Sequence, residues 1–198
     1  MVFSTDNGGP IQQKGAMILQ GFLTGLFARA IPLSFTCSIT FEQSYGGVEG
    51  DSASLAEAVA VMSDLSGLPV RQDIAITGSM NQHGVSQVVG GVARKVEGFY
   101  RSCMDKPGGL TGSQGVVIPA ANKRNLVLKS DVLEAVAAGR FHIWTATEID
   151  DALELLLETP AGQPDADGAY PPDSVYGRVM AQLARFNTAI AETYRLSG

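Results

Sequence analysis

The sequence predicts an α+β fold with an α/β-like alternation of strands and helices. Three observations point there. Leu33, Phe35, Cys37, Ile39 and Phe41 alternate strictly with Ser34, Thr36, Ser38, Thr40 and Glu42, the two-residue period of a half-buried strand. Two later segments place apolar residues at helical spacing: Leu55, Val59 and Met62, then Val92, Val96, Phe99 and Cys103. Short strand-like runs at 73–77, 116–118 and 141–145 are separated by stretches long enough for helices.

In chain order, residues 11–30 read as a helix, apolar on most sides and therefore substantially buried, with Pro32 after it. The strand at 33–41 leads into a glycine-rich loop at 45–50. Residues 52–65 form a helix closed by Gly67 and Pro69. The strand at 73–77 ends in Thr77-Gly78, and 79–87 reads as a hairpin turning at His83-Gly84. A helix over 91–103 is followed by a buried strand at 116–118, stopped by Pro119. Residues 130–138 form a helix with Ser130 as its N-cap. The strand at 141–145 and a helix at 148–158 complete the alternation. Residues 159–173 break the pattern with Pro160, Gly162, Pro164, Gly168, Pro171 and Pro172, and read as a surface linker. The last helix carries Tyr176, Val179, Leu183, Phe186, Ile190 and Tyr194 on one face, suited to core packing or to a subunit contact. The organisation is one domain over 1–158, a linker over 159–173 and a C-terminal helix over 174–198.

Composition narrows the functional classes. At 198 residues the chain can bury one real core, and 45% hydrophobic with 17% charged residues describes a folded soluble protein. A net charge of −6 with no basic tract argues against nucleic-acid binding. The apolar segment 15–31 is interrupted by Gln20, Thr24 and Arg29, whereas a membrane span needs about 20 apolar residues. Cys37 and Cys103 are too few for a disulfide framework and match no metal spacing; Cys37, on the apolar strand face, reads as a buried inert thiol. With no signal-peptide pattern, a cytoplasmic, reducing compartment is expected.

The candidate chemistry lies in two segments. Gly50-Asp51-Ser52-Ala53-Ser54 puts a serine at the mouth of a helix, and Gly90-Gly91-Val92-Ala93-Arg94-Lys95 puts a lysine on another, 43 positions later. With only His83 and His142 available, a histidine-based triad has little to draw on. A serine hydroxyl needs a base beside it, and lysine serves only when burial lowers its pKa enough to leave the amine neutral. Lys95 lies about 60° from Val92 and about 40° from Phe99 around its helix, at the edge of the apolar stripe, while Arg94, Glu97 and Arg101 occupy the other face. Ser52 continues the stripe of Leu55, Val59 and Met62 to the first helical turn, where unpaired backbone N–H groups and the helix dipole could stabilise an oxyanion. Ser54 is rotated by about 200° from it. Gly46, Gly47 and Gly50 would let an extended substrate backbone approach. Spacing alone also accommodates a plainer reading, in which Asp51 or Ser52 is only a helix N-cap.

The context of these segments is more specific. Phe41-Glu42-Gln43-Ser44-Tyr45-Gly46-Gly47-Val48-Glu49-Gly50-Asp51-Ser52-Ala53-Ser54 closely resembles the nucleophile segment of Lon proteases, especially the archaeal-type and related bacterial Lon-like branch. Ile76-Thr77-Gly78-Ser79 and Val89-Gly90-Gly91-Val92-Ala93-Arg94-Lys95-Val96 resemble the family's lysine segment, in the same order and spacing. Val117-Ile118-Pro119-Ala120-Ala121-Asn122 resembles its next strand and Pro-x-x-Asn turn. The similarity runs from about Gly8 to Glu158.

The resemblance implies a Lon-type proteolytic fold of small mixed sheets packed on helices. It implies Ser52 as nucleophile, Lys95 as general base and Thr77 as hydrogen-bond partner of the lysine amine. Asp51 matches the acidic residue before the serine, with a gating or supporting role, and Gly50, Ser52 and Ala53 border the oxyanion region. Ser79 stands where many bacterial relatives have Glu, so no acidic role carries over to it. No G-x-x-x-x-G-K-[ST] phosphate loop is present, so no ATPase module is expected in this chain, and ATP would be used by a separate or removed one. The whole protease domain of the family opens with strands that are expected to be missing here. No cofactor and no metal are expected. The implied partners are unfolded polypeptides, further copies in a hexameric ring and an AAA+ ATPase, with no nucleic acid and no membrane. The implied function is a serine endopeptidase. Its rivals are a non-catalytic assembly module that keeps the fold, and a Ser–Lys amidohydrolase acting on small amides.

Overall fold

The computed structural model describes residues 1–5, 10–41 and 50–196. Its elements are β1 (Val2–Thr5), α1 (Pro10–Phe27), β2 (Thr36–Ile39), α2 (Ser54–Ser66), β3 (Ile74–Ile76), β4 (Ser79–Met80), β5 (Ser86–Gln87), α3 (Val92–Met104) and β6 (Gly115–Pro119). A short 3-10 helix (Ala120–Asn125), α4 (Ser130–Ala137), β7 (His142–Ala146), α5 (Ile149–Leu157) and α6 (Val175–Leu196) follow.

The organising unit is a three-stranded parallel sheet, ordered β3-β6-β7. The central strand β6 is apolar and buried along its whole length, as a strand covered on both faces must be. Its side chains alternate between two cores. Val117 joins Ile74 and Ala146 on the face covered by α1, α2, α5 and α6, where Leu19, Phe27, Leu55, Met62, Leu153 and Leu183 meet. Val116 and Ile118 join Val96, Tyr100, Val132 and Phe141 beneath α3 and α4. Two smaller sheets complete the mixed α+β architecture: β1 with β2, parallel, and the hairpin β4–β5, antiparallel.

Pro119 belongs to β6 and pairs with Ala146, although proline was expected to stop the strand. In this parallel ladder the main chain of Gly115 and Val117 faces β3. Pro119 has the same phase, but β3 ends at Ile76, opposite Val117, so the missing N–H interrupts no pairing.

Other expectations need correction. α1 buries a single stripe (Ala16, Leu19, Phe22, Leu23 and Phe27) and leaves Met17 73% exposed, so it is amphipathic rather than buried on most sides. The strand expected over 33–41 pairs only at Thr36–Ile39, with β1 as its unforeseen partner. Cys37 is half-buried rather than buried, and burial pushes its thiol pKa up. Ser130 is the first residue of α4; Lys129 is the cap, without a side-chain cap bond. The last helix divides along its length. Tyr176, Val179 and Leu183 enter the main core, Phe186 is half-buried, and Ile190 and Tyr194 are 39% and 76% exposed. Residues 159–173 hold no helix or strand, yet Ala161 is buried and the Val175 N–H donates to Pro160 O at 2.9 Å.

Candidate active site

Ser52 stands in the turn that precedes α2, not on the helix. The N-cap position belongs to Ala53, which makes no side-chain cap bond, so neither Asp51 nor Ser52 is spent on capping. The turn is fastened to the end of β3. The Gly78 N–H donates to Ser52 O at 2.8 Å, and the Leu55 N–H donates to Gly78 O at 3.1 Å. Gly78 allows this approach because a Cβ there would collide with Leu55 Cδ1 and stand 3.1 Å from Pro119 Cγ. The site therefore lies beyond the carboxyl end of a parallel strand, where open α/β sheets place their ligands.

Thr77, 6% exposed, is the next residue after β3, and its N–H donates to Val117 O at 3.0 Å. It shares its phase with Ala75, which packs against the α3 layer, so its hydroxyl faces the helix that carries the lysine. Lys95 comes from the first turn of α3. Its Nζ donates to Ser52 Oγ at 2.7 Å and to Thr77 Oγ1 at 2.9 Å. The Thr77 hydroxyl in turn donates to Ser52 O at 3.3 Å. Ser52 and Thr77, from two separate segments, thus converge on the amine supplied by a third.

Lys95 and Arg94 are both exposed as residues. What distinguishes Lys95 is where the amine goes. Partial burial of that amine holds its pKa below the ordinary lysine range. Lys95 makes no ion pair among the described residues. Glu97, expected on the outer face, is instead buried: its Oε1 accepts the Lys129 N–H at 3.2 Å, and its Oε2 lies within 4 Å of Arg101 and Lys129. It holds the residue that precedes α4 and forms no ion pair with the Lys95 amine.

Asp51 is held by the hairpin. Ser79 Oγ donates to Asp51 Oδ2 at 3.0 Å. Ser54, 1% exposed, donates to Asp51 O at 2.9 Å and accepts the Met80 N–H at 3.2 Å. Ser54 is thus a stitch between the turn and β4; it is buried while Ser52 is only half-buried, the reverse of what helix phase suggested, because Ser52 lies in the turn and not on the helix. Ser79 was legible only as a departure from a family pattern. Gly50, with φ +103°, opens the turn. Gly46, Gly47 and Ser44 lie outside the described residues. Among the described residues, no three His, Cys, Asp or Glu side chains are placed to hold a metal ion. No described helix is long and apolar enough to cross a membrane. The cavity of about 460 Å³ between β2, α2 and α6 is lined by Phe35, Cys37, Val61 and Phe186 and includes neither Ser52 nor Lys95.

Comparison with known proteins shows the family of the chain. The sequence profile of the Lon protease C-terminal proteolytic domain matches residues 44–159, which include Asp51, Ser52, Thr77 and Lys95. A putative Lon protease homolog of Escherichia coli is 50% identical over 150 residues, 76% of this chain and 25% of that protein. One from Haemophilus influenzae is 47% identical over 149 residues, 75% of this chain and 24% of that protein. The archaeal Lon protease of Thermococcus kodakarensis is 37% identical over 120 residues, 61% of this chain and 17% of that protein. The chain spans about a quarter of the length of the first two relatives. It belongs to the Lon protease family and carries that family's proteolytic domain.

Proposed function

We propose that this domain is a serine endopeptidase working through a Ser52–Lys95 dyad on unfolded polypeptide. The observation that carries the reading is the amine of Lys95 at 2.7 Å from Ser52 Oγ and 2.9 Å from Thr77 Oγ1. The hydrogen bonds around the amine support these roles. Thr77 gives its own proton to Ser52 O, so its lone pairs face Lys95 and take one amine N–H. When Lys95 is neutral, the 2.7 Å contact can reverse, with the Ser52 hydroxyl donating to the amine lone pair while Thr77 keeps one amine N–H.

Lys95 then accepts the Ser52 proton as Oγ attacks the peptide carbonyl, and the new oxyanion forms beside the Gly50-Asp51-Ser52-Ala53 turn, where main-chain N–H groups of Ser52 and Ala53 are the candidate donors. The ammonium returns the proton to the leaving amine, which leaves an acyl-enzyme. Neutral Lys95 next takes a proton from water, the hydroxide attacks the ester carbonyl, and the proton returns to Ser52 Oγ as the second product departs. Asp51 supports the turn through its bond to Ser79.

An assay on an unfolded polypeptide beside a small amide tests the reading. Cleavage of the polypeptide is expected; turnover of the small amide alone would favour an amidohydrolase, and no turnover of either would favour an assembly module. Thr77→Val removes orientation but not the base, and is expected to lower kcat by roughly three- to tenfold, the worth of one hydrogen bond.

The proposal extends to assembly. A ring, hexameric in the simplest case, would enclose Ser52 in a chamber reached only by unfolded chains, with an AAA+ ATPase unfolding and feeding them. The exposed end of α6, with Ile190 and Tyr194, offers apolar surface for a head-to-tail contact. Sedimentation across concentration should show a closed oligomer; a chain that stays monomeric yet cuts unfolded protein at full rate would show that the ring is not needed.

A further inference from the structure

Ser52 and Thr77 are fixed to the central sheet by main-chain bonds, but Lys95 arrives by a longer route. After Gly78 the chain leaves as the β4–β5 hairpin, which is anchored just beyond the carboxyl end of β7, the opposite edge strand: the Ser86 N–H donates to Thr147 O and the Ile149 N–H donates to Gly84 O, both at 2.8 Å. It returns through residues 88–91 to begin α3. Val92, Val96 and Tyr100 pack that helix over Val116 and Ile118. Such packing chooses the face of a helix, but it is non-directional and sets its position along the axis only loosely.

A directional fastening exists six residues before the lysine and three before α3 begins. Asn122, in the 3-10 helix after β6, grips the main chain of Val89 at both ends. The Val89 N–H donates to Asn122 Oδ1 at 3.1 Å, and Asn122 Nδ2 donates to Val89 O at 2.9 Å. These are the two bonds a neighbouring strand would give, supplied here by one amide. Val89 is 9% exposed, between exposed Val88 and Gly90. Two residues on, Gly91 adopts φ +70° and its carbonyl accepts the Lys95 N–H at 3.1 Å. Asn122 itself stands three residues beyond Pro119, on the strand whose Val117 carbonyl holds Thr77. β6 and the 3-10 helix that follows it therefore fasten the threonine and the start of the lysine helix respectively.

We propose that Asn122 is a positioning residue for the Ser52–Lys95 dyad: its two-point hold on Val89 sets where α3 begins, and so places the Lys95 amine between Ser52 and Thr77. This rests on the dyad reading. A slide of α3 by about 1 Å would disturb the amine contacts unless the lysine stem rearranged, and misplacement of that size costs on the order of 100-fold in rate.

The test uses Asn122→Ala and the nearly isosteric Asn122→Asp, which keeps the acceptor for the Val89 N–H and loses the donor. Both are assayed with a fluorogenic peptide across pH, beside Lys95→Met. The expected result is a fall in kcat of about 10- to 100-fold with KM changed by less than about threefold. The pH at which kcat rises should also move upward in both variants, as a displaced amine becomes better solvated. That midpoint belongs to the folded fraction, so partial unfolding does not imitate it. Wild-type kcat and midpoint in both variants, with only a lower Tm, beside an inactive Lys95→Met, would overturn the positioning role alone. An active Lys95→Met would overturn the dyad reading and the positioning role with it.

Discussion

Ser52→Ala is expected to abolish peptide hydrolysis, by roughly 10⁴-fold or more, while leaving the fold intact. The side chain at 52 is only half-buried, and its Oγ is bonded to the Lys95 amine. The bonds that hold the turn to Gly78 use its main chain and survive the substitution. Ser54→Ala should behave in the opposite way. Ser54 Oγ is the acceptor for the buried Met80 N–H, and leaving that group unpaired costs about 1–3 kcal/mol of stability. A chemical unfolding curve and a peptide assay on both variants separate the two serines. Full activity in Ser52→Ala would remove it from the reaction.

Lys95→Met should be folded and inactive, and Lys95→Arg inactive as well, because a guanidinium stays charged near neutrality and cannot accept the serine proton. The effect has a pH signature in the native protein. Burial lowers the Lys95 pKa, so the neutral amine becomes available below the ordinary lysine range. Activity should therefore rise with pH through one ionisation and be lost as pH falls below it, where the ammonium has no lone pair to offer. The nearby carboxylates are otherwise engaged: Asp51 accepts from Ser79, and Glu97 accepts the Lys129 N–H. Neither forms an ion pair with Lys95 that would hold the proton on. Comparable rates for Lys95→Arg and the native protein, measured as kcat against pH, would rule out the base role.

Much of this was legible in the residue pattern, for identifiable reasons. The stripes of α2 and α3 were readable because helical period and burial coincide there, and the parallel strand β6 was readable as an unbroken apolar run. The pairing of Ser52 with Lys95 came from motif context, since a serine near a helix mouth is by itself indistinguishable from a cap. Tertiary effects lay beyond the pattern. Helix phase assigned Glu97 to solvent because it could not foresee that α4 would arrive with its Lys129 N–H needing an acceptor. It overstated the burial of α1 because apolar content does not reveal how many neighbours a helix will have. It took Pro119 as a stop because proline disrupts a ladder only where a partner strand continues, and β3 does not. Asn122 looked like a turn residue because its task is to bind a main chain 33 positions away.

Reaction with a fluorophosphonate, followed by peptide mapping, tests the central claim most directly. The account predicts a single adduct on Ser52, formed faster as pH rises through the Lys95 ionisation and suppressed in Lys95→Met. An adduct on Ser54 or another serine, or labelling of Lys95→Met at the native rate, would contradict it.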